Sequence, residues 1–178
     1  MKPILKRTAL RPFQRKDFDS YYRLLTNKRV LEFVKSGNAS LSECQSEFEH
    51  ILRVTPSLFK CYHFAITLAS QDKMIGMIQV GFSDLWQEWE CFCLLLPEFW
   101  GRGLATEALK TLLSKVLPTI NIESVLADVN PANRSSEALI CRVGFTHLGV
   151  RQDAAGGNHS LWRATVRTRH PRLKLRGI

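Results

Sequence analysis

The spacing of apolar side chains divides the chain into segments of helical and of extended periodicity. Apolar residues recur at helical intervals over residues 16–34, where one or two helices fit, and over residues 41–54. The clearest helix is predicted over residues 104–117, because its apolar side chains form one wide face. A shorter helix over residues 135–143 is expected to close at Gly144.

Extended segments are short apolar runs that turn residues interrupt. Two of these runs flank a polar stretch at residues 70–73 and therefore predict a hairpin. A third run is strongly apolar and stops at Pro97. The predicted strands cover residues 5–11, 62–68, 74–82, 89–96, 124–129, 146–151 and 161–166.

The order of these segments predicts a mixed sheet. One strand precedes the first helices, and three strands, a helix, a strand, a second helix and two final strands follow. Hairpins and strand–helix–strand units are thus mixed, which is typical of an α/β protein whose sheet carries helices on its faces. Because no internal repeat or low-complexity linker interrupts residues 1–178, we predict a single domain.

Composition favours a soluble globular protein. Apolar residues make up 45% of the 178 residues, and charged residues make up 23%. No stretch approaches the ~20 apolar residues that cross a bilayer, and residues 1–13 lack the continuous apolar core of a signal peptide. We therefore expect a cytoplasmic protein without a membrane segment.

The net charge of +9 is unevenly distributed along the chain. Six Lys and Arg residues and no acidic residue lie between Arg163 and the C-terminus, so +9 less 6 leaves +3 for the rest. The basic tail at about residues 167–178 could contact RNA, a ribosome or an acidic substrate. A solvated terminal segment explains the same composition.

The five cysteines do not suggest a metal site. No C-x-x-C pair occurs, and no His or Cys cluster has the spacing of zinc ligands. Cys91 and Cys93 would share one face of a strand, as small buried apolar residues often do. We predict neither a bound metal nor a disulfide framework.

The most informative segment joins the strand at residues 89–96 to the helix at residues 104–117. Gly101 and Gly103 permit unusual dihedral angles, and Arg102 adds a positive charge. The first N–H groups of a helix lack internal partners, and the helix dipole adds partial positive charge there. The segment is therefore a candidate phosphate cradle, although it matches neither the P-loop nor the complete dinucleotide motif. A plain glycine turn is the alternative.

Two motifs carry a resemblance to a known family. Residues 97–108 (PEFWGRGLATEA) resemble the acetyl-CoA loop of the GNAT N-acetyltransferases, with Trp100 where the general pattern has Gln or Arg. Residues 130–145 (NPANRSSEALICRVGF) resemble a later motif of the same superfamily. Both motifs are most similar to the branch of the RimJ/RimL ribosomal-protein N-terminal acetyltransferases, and residues 5–13 resemble its opening strand.

The resemblance implies both a fold and an activity. The implied fold is a central mixed, mostly antiparallel sheet flanked by helices. The implied activity is transfer of an acetyl group from acetyl-CoA to an amine, by direct attack in a ternary complex and without a metal. The acceptor would be a protein N-terminus or a small amine, and the enzyme would be a monomer or homodimer.

The family's cofactor-binding roles carry over to the matching residues. Backbone groups near Leu94 and Leu96 would pair with the pantetheine amides, and the N–H near Leu95 would polarise the thioester carbonyl. Asn133 would contact CoA, and Arg142 would reach its 3′-phosphate. The amide N–H groups of seven residues would hold the pyrophosphate: Trp100, Gly101, Arg102, Gly103, Leu104, Ala105 and Thr106.

Two residues are candidates for acid–base chemistry. Glu90 shares a strand face with Phe92 and Leu94, and apolar neighbours would raise the pKa of its carboxyl group towards that of a useful base. The alternatives are a solvated or salt-bridged Glu90, with a water chain taking the proton. By the resemblance, Ser136 would reprotonate the leaving thiolate. Asn133 also suits a purely structural role as a helix N-cap.

A second functional hypothesis concerns a protein without catalytic activity. The same fold could hold CoA without chemistry, or dock on RNA or a ribosome through the basic tail.

Overall fold

A computed structural model describes residues 6–34, 39–53 and 60–166 of the chain. Within these ranges the strands form one seven-stranded sheet, in the order β1-β2-β3-β4-β5-β7-β6. All neighbouring strands are antiparallel except β4 and β5, which are parallel. The predicted mixed, mostly antiparallel sheet is therefore confirmed. The strands are β1 (Thr8–Arg11), β2 (Cys61–Leu68), β3 (Lys73–Ser83), β4 (Glu88–Leu95), β5 (Ser124–Val129), β6 (Thr146–Gln152) and β7 (Asn158–Thr165).

Helices lie on both faces of this sheet. The first face carries α1 (Phe18–Thr26), α2 (Lys28–Leu31) and α3 (Leu41–Arg53), and the second carries α4 (Leu104–Thr111) and α5 (Arg134–Val143). The helix that begins with α4 continues through a π-helical turn, Leu112–Val116, into a last turn, Leu117–Thr119. Short 3₁₀ turns at Arg15–Asp17 and Pro97–Phe99 precede α1 and α4.

The alternation of side chains along β4 builds a separate core on each face. Cys91 and Leu95 pack with the buried residues of α4 and α5. Leu94, and Leu96 just beyond the strand, pack with the aromatic cluster of α1 and α3, which includes Phe48. The strand is therefore buried on both sides, which explains its nearly continuous apolar sequence.

The junction between β4 and β5 is the weakest part of the sheet. β3 pairs with the whole of β4, and β7 pairs with the whole of β5. Between β4 and β5, the pairing is limited to Glu90 opposite Leu126. Beyond this point the two strands diverge and leave a gap inside the sheet.

The observed boundaries differ from the predicted ones mainly at β1, which begins at Thr8, and at β7, which begins three residues before residue 161. The turn that precedes it closes early, because Asp153 Oδ1 accepts the N–H groups of Ala155 and Gly157 at 3.0 and 2.7 Å. Leu5, Val54 and the basic tail at residues 167–178 lie outside the described residues. No helix in the described ranges is long and apolar enough to span a bilayer.

Candidate active site

A cavity of about 680 Å³ opens where β4 and β5 diverge. Its walls come from β4, β5, the N-terminus of α4, one side of α5, and residues 29–34 at the end of α2. Cys91 and Ala127 line it next to the single pairing point of the two strands. The volume is typical of a site for a small organic ligand.

The edge of β4 in this gap offers free backbone groups to a ligand. The Leu96 N–H donates to the Ile75 carbonyl at 2.9 Å, and backbone groups along a strand alternate in direction. The N–H and C=O groups of Cys93 and Leu95 therefore face the gap, while those of Leu94 face β3. The expected pairing through Leu94 and Leu96 is thus wrong by one residue, and Leu96 does not line the cavity.

Trp100 covers part of this open edge. Its indole Nε1 donates to the Leu95 carbonyl at 2.7 Å, and the Arg29 guanidinium lies 5.2 Å from its ring centroid. The Trp100 N–H donates to the Pro97 carbonyl at 3.1 Å, so it is not free for a phosphate, contrary to the prediction. Trp100 enters the site through its side chain instead.

The glycine loop has the backbone shape of an anion cradle. Gly101 and Gly103 adopt left-handed φ values of 71° and 74°, and Gly103 is the N-cap of α4. The N–H groups at the start of α4 have no partners within the helix, and they lie at the cavity wall. The Arg102 side chain is directed to the Phe99 ring and is not part of the wall. Of the seven residues predicted to hold the pyrophosphate, those that line the cavity are Trp100, Gly101, Gly103, Leu104, Ala105 and Thr106.

Arg7 and Glu107 support the loop from behind. Glu107 Oε1 accepts the N–H groups of Arg7 and Thr8 at 2.6 and 2.8 Å, and Arg7 Nη1 donates to the Arg102 carbonyl at 3.0 Å. Burial opposes ionisation of Glu107. The hydrogen bonds that its carboxylate accepts from Arg7 and Thr8 outweigh this effect and lower the pKa of the carboxyl group. Sequence reasoning missed Arg7 because it precedes the loop by almost a hundred residues.

The second motif forms the opposite wall. Asn133 Oδ1 accepts the Ser136 N–H at 3.0 Å, so Asn133 is the N-cap of α5, as predicted for its structural role. Asn133, Ser136 and the exposed Arg142 all line the cavity. Their side chains can therefore reach a ligand that lies along α5.

Glu90 lies at the point where β4 and β5 pair, beside the end of the cavity that we call its inner end. Glu90 itself is not part of the cavity wall. Burial raises the pKa of its carboxyl group, and the charge of Asp128 raises it further, while a hydrogen bond from Ser83 and the nearby His159 oppose the change. The direction of this pKa shift agrees with the expectation from the sequence.

A second acidic group, which the sequence analysis missed, does line the cavity. Asp128 on β5 has its Oδ2 atom 2.5 Å from His159 Nδ1, and His159 Nε2 lies 3.0 Å from Asp153 Oδ2. The Trp86 indole donates to Asp128 Oδ2 at 3.4 Å and packs edge-on against the His159 ring. The only sequence signal was Asp128 itself, the one charged residue in an otherwise apolar strand core.

These walls fit a thin thioester ligand with a charged end. The open edge of β4 can pair with amide groups, the glycine loop can hold phosphates, and carboxylates lie near the reactive end. Among the described residues, no cluster of His, Cys, Asp and Glu is arranged to hold a metal ion.

Comparison with known proteins identifies the family. Residues 7–146 match the family model of the acetyltransferase (GNAT) domain. An acetyltransferase from Agrobacterium tumefaciens str. C58 is 28% identical, with a TM-score of 0.73 over 89% of this chain and 91% of that one.

Two further solved structures share the fold. Spermidine N-acetyltransferase from Vibrio cholerae, in complex with CoA and spermine, is 16% identical, with a TM-score of 0.75 over 89% of this chain and 95% of that one. An aminoglycoside acetyltransferase in complex with coenzyme A is 17% identical, with a TM-score of 0.73 over 89% and 94%. Since the family model spans most of the chain, the protein belongs to the GNAT family and is an acetyl-CoA-dependent N-acetyltransferase.

Proposed function

We propose that this enzyme acetylates the amine of a cationic acceptor, such as a protein N-terminus. The observation that carries the proposal is the group of carboxylates beside the inner end of the cavity: Glu90, Asp128 and Asp153. Carboxylates attract an ammonium group and can take its proton, which must leave before the nitrogen can attack. Spermine is bound in the Vibrio cholerae structure, and the other structural neighbour is an aminoglycoside acetyltransferase. Both kinds of molecule are cationic amines.

The cosubstrate would lie along the open edge of β4. The Leu95 N–H and the Cys93 carbonyl would pair with its pantetheine arm, and the N–H groups of the glycine loop would hold its pyrophosphate. We propose the Cys93 N–H, rather than that of Leu95, as the donor to the thioester carbonyl, because Cys93 lies nearer to Glu90 along β4. Such preorganised donors contribute roughly 3–4 kcal/mol to transition-state stabilisation. Asn133 and Arg142 would contact the cosubstrate from α5.

Proton transfer would involve Glu90 and Ser136. Glu90 suits a base because its raised pKa brings it nearer to neutral pH. Since its side chain lies off the cavity wall, the proton would reach it through water or a neighbouring carboxylate. Ser136, on the cavity wall, would return a proton to the leaving thiolate.

The finer assignment rests on the two sequence motifs. We propose that the enzyme is of the RimJ/RimL type, acts in the cytoplasm as a single domain, and is a monomer or homodimer. The basic tail at residues 167–178 would contact a ribosome or RNA.

The first test is release of CoA from acetyl-CoA, detected with a thiol reagent, across N-terminal peptides, polyamines and aminoglycosides. Each active peptide is compared with its N-terminally blocked form, and mass spectrometry locates the acetyl group. Gly103→Pro is the control, because proline cannot adopt the φ of 74° at this position. Release that requires one class of amine and is lost in Gly103→Pro supports the proposal. If no amine in the panel releases CoA although acetyl-CoA binds, the proposal fails.

A second experiment tests the role of the tail. Removal of residues 167–178 should leave acetylation of a small amine intact and abolish salt-sensitive RNA binding. Loss of acetylation without any loss of RNA binding would contradict the proposed docking role.

A further inference from the structure

We propose that Asp128 is the residue that contacts the acceptor amine and receives its proton, and that His159 and Asp153 hold its carboxylate in place. The inference rests on the proposed acetylation of an amine. It assigns roles to three residues that lie outside both family motifs.

Asp128 lies on the side of β5 that faces away from α4 and α5. Val125, Ala127 and Val129 pack on the α4–α5 face, so the Asp128 side chain leaves the strand on the opposite face, as Glu90 does on β4. It lies two residues beyond the point where β4 and β5 separate. Asp128 therefore lines the inner part of the cavity, whereas Glu90 does not.

The carboxylate of Asp128 is held through one of its two oxygens. Both hydrogen bonds that the structure shows for the Asp128 side chain end on Oδ2, from His159 and Trp86, which leaves Oδ1 for a ligand. The His159 side chain is only 8% exposed, and it lies between Asp128 and Asp153, which are 16% and 15% exposed. An imidazolium that donates from both nitrogens fits these contacts, and the three groups together then carry one negative charge.

Three different parts of the fold fix this arrangement. Asp128 belongs to β5, His159 to β7, and Asp153 to the turn between β6 and β7, where its other oxygen accepts two backbone N–H groups. The chain of contacts thus ties the turn to the cavity wall. A base that is held from several rigid elements stays in the geometry that proton transfer requires.

The proposed step conserves atoms and charge. The acceptor ammonium transfers one proton to Asp128 Oδ1, and its nitrogen then forms a bond with the acyl carbon of acetyl-CoA. The bond between that carbon and sulfur breaks, and the thiolate leaves with a proton that the nitrogen loses. Asp128 then passes its proton to Glu90, which releases it to solvent.

Asp128→Asn tests the proton acceptor with little change in shape. We expect kcat/KM for the amine to fall by about 10²–10⁴-fold, with the dissociation constant of acetyl-CoA unchanged within about twofold. The decrease of kcat/KM at low pH, which is the acidic limb of the pH–rate profile, should also be absent in Asp128→Asn. The charged groups that face Asp128 are Glu90, His159 and Asp153, so the profiles of Glu90→Gln and Asp153→Asn are measured alongside. Asp84→Asn, in the exposed turn before β4, is the control and should keep full activity.

Two variants of His159 test the positioning role. The amide nitrogen of asparagine can replace Nδ1, which faces Asp128, and that of glutamine can replace Nε2, which faces Asp153. If His159 acts by holding Asp128, His159→Asn should retain several times the kcat of His159→Gln. A merely structural histidine would not distinguish the two variants at equal thermal stability.

The inference is overturned if Asp128→Asn keeps kcat/KM within threefold of the wild type while acetylation of the amine is observed. It is also overturned if Glu90→Gln lowers kcat/KM more than Asp128→Asn does, because Glu90 would then be the first group to take the proton. Failure of the wild-type enzyme to acetylate any amine would instead reject the proposed function.

Discussion

At the scale of single residues, Gly76 on β3 shows how closely the strand beside the cavity is packed. A Cβ atom at this position would lie 2.3 Å from the Leu94 carbonyl oxygen and 2.5 Å from a Leu95 methyl group. Contacts this short cannot persist, so β4 would have to shift. Because β4 also forms one wall of the cavity, the fold and the site depend on the same glycine.

We therefore predict that Gly76→Ala lowers the free energy of unfolding by about 1–3 kcal/mol, and that it weakens acetyl-CoA binding. Urea denaturation and a binding titration measure the two effects. Gly81→Ala on the same strand is the matched control, because its nearest contact would be an ordinary 3.5 Å and its cost should stay within about 0.5 kcal/mol. Equal effects of the two substitutions would contradict the steric argument.

Asn133 combines two roles that its variants can separate. Asn133→Ala removes the N-cap of α5 and should cost about 1 kcal/mol of stability, whereas Asn133→Ser should retain most of the cap. If the amide also contacts acetyl-CoA, both variants should bind it more weakly. Thermal denaturation and a binding titration give the two values, and wild-type affinity in Asn133→Ser would leave Asn133 with the capping role alone.

Single residues also show how far the sequence could predict the site. The glycine loop and the cap at Asn133 are local features, so their residue types and spacing were sufficient. The direction of the backbone at Leu94 and Leu96 was not predictable, because it depends on which residues of β3 lie opposite β4, and this register is set by the tertiary structure. Asp128 and His159 are 31 residues apart, and only the pairing of β5 with β7 brings them together.

At the scale of elements, the N-terminus of α4 is joined to β1 by one carboxylate. Glu107, in the first turn of α4, accepts two backbone N–H groups and a hydroxyl from Arg7 and Thr8. Its negative charge also suits the positive end of the helix dipole. The sequence predicted both elements, but it contained no sign that they touch.

This contact predicts a specific dependence of stability on pH. Because the folded state lowers the pKa of Glu107, its ionised form contributes stability above the pKa of the unfolded chain, about 4.3, and the contribution is lost as the pH falls through the folded-state pKa. Glu107→Gln should therefore be less stable than the wild type at pH 7, and the difference should shrink below about pH 4. Urea denaturation at both pH values measures it, and a difference that is constant with pH would contradict the assignment.

At the scale of the whole molecule, the sheet consists of two well-paired halves. One half contains β1 to β4 and the other contains β5, β7 and β6, and a single pairing joins them within the sheet. The order of elements in the sequence predicted a mixed sheet, but it did not reveal where the pairing would stop. A ligand in the gap contacts both halves and should therefore hold them together.

We predict that acetyl-CoA at about 100 times its dissociation constant stabilises the protein by about 2.7 kcal/mol, which corresponds to a rise in Tm of roughly 5–11 °C for a chain of this size. Differential scanning fluorimetry measures the shift, and Gly103→Pro should not show it. Hydrogen exchange should slow at the amides of Cys93 and Leu95. Protection confined to other parts of the sheet would contradict the proposed path of the ligand along β4.

The unpaired stretch of β4 also bears on the solubility of the protein. A strand with free N–H and C=O groups at the perimeter of a sheet invites strands from other molecules and can start aggregation. Here such a stretch lies inside the sheet, with β5 on its far side and α4 and α5 over one face. The stretch is therefore not at an exposed edge of the sheet, and it is reached only through the cavity between β4 and β5. The backbone groups of this stretch thus stay available to the cosubstrate in every catalytic cycle, while strands of other protein molecules have no exposed edge to pair with.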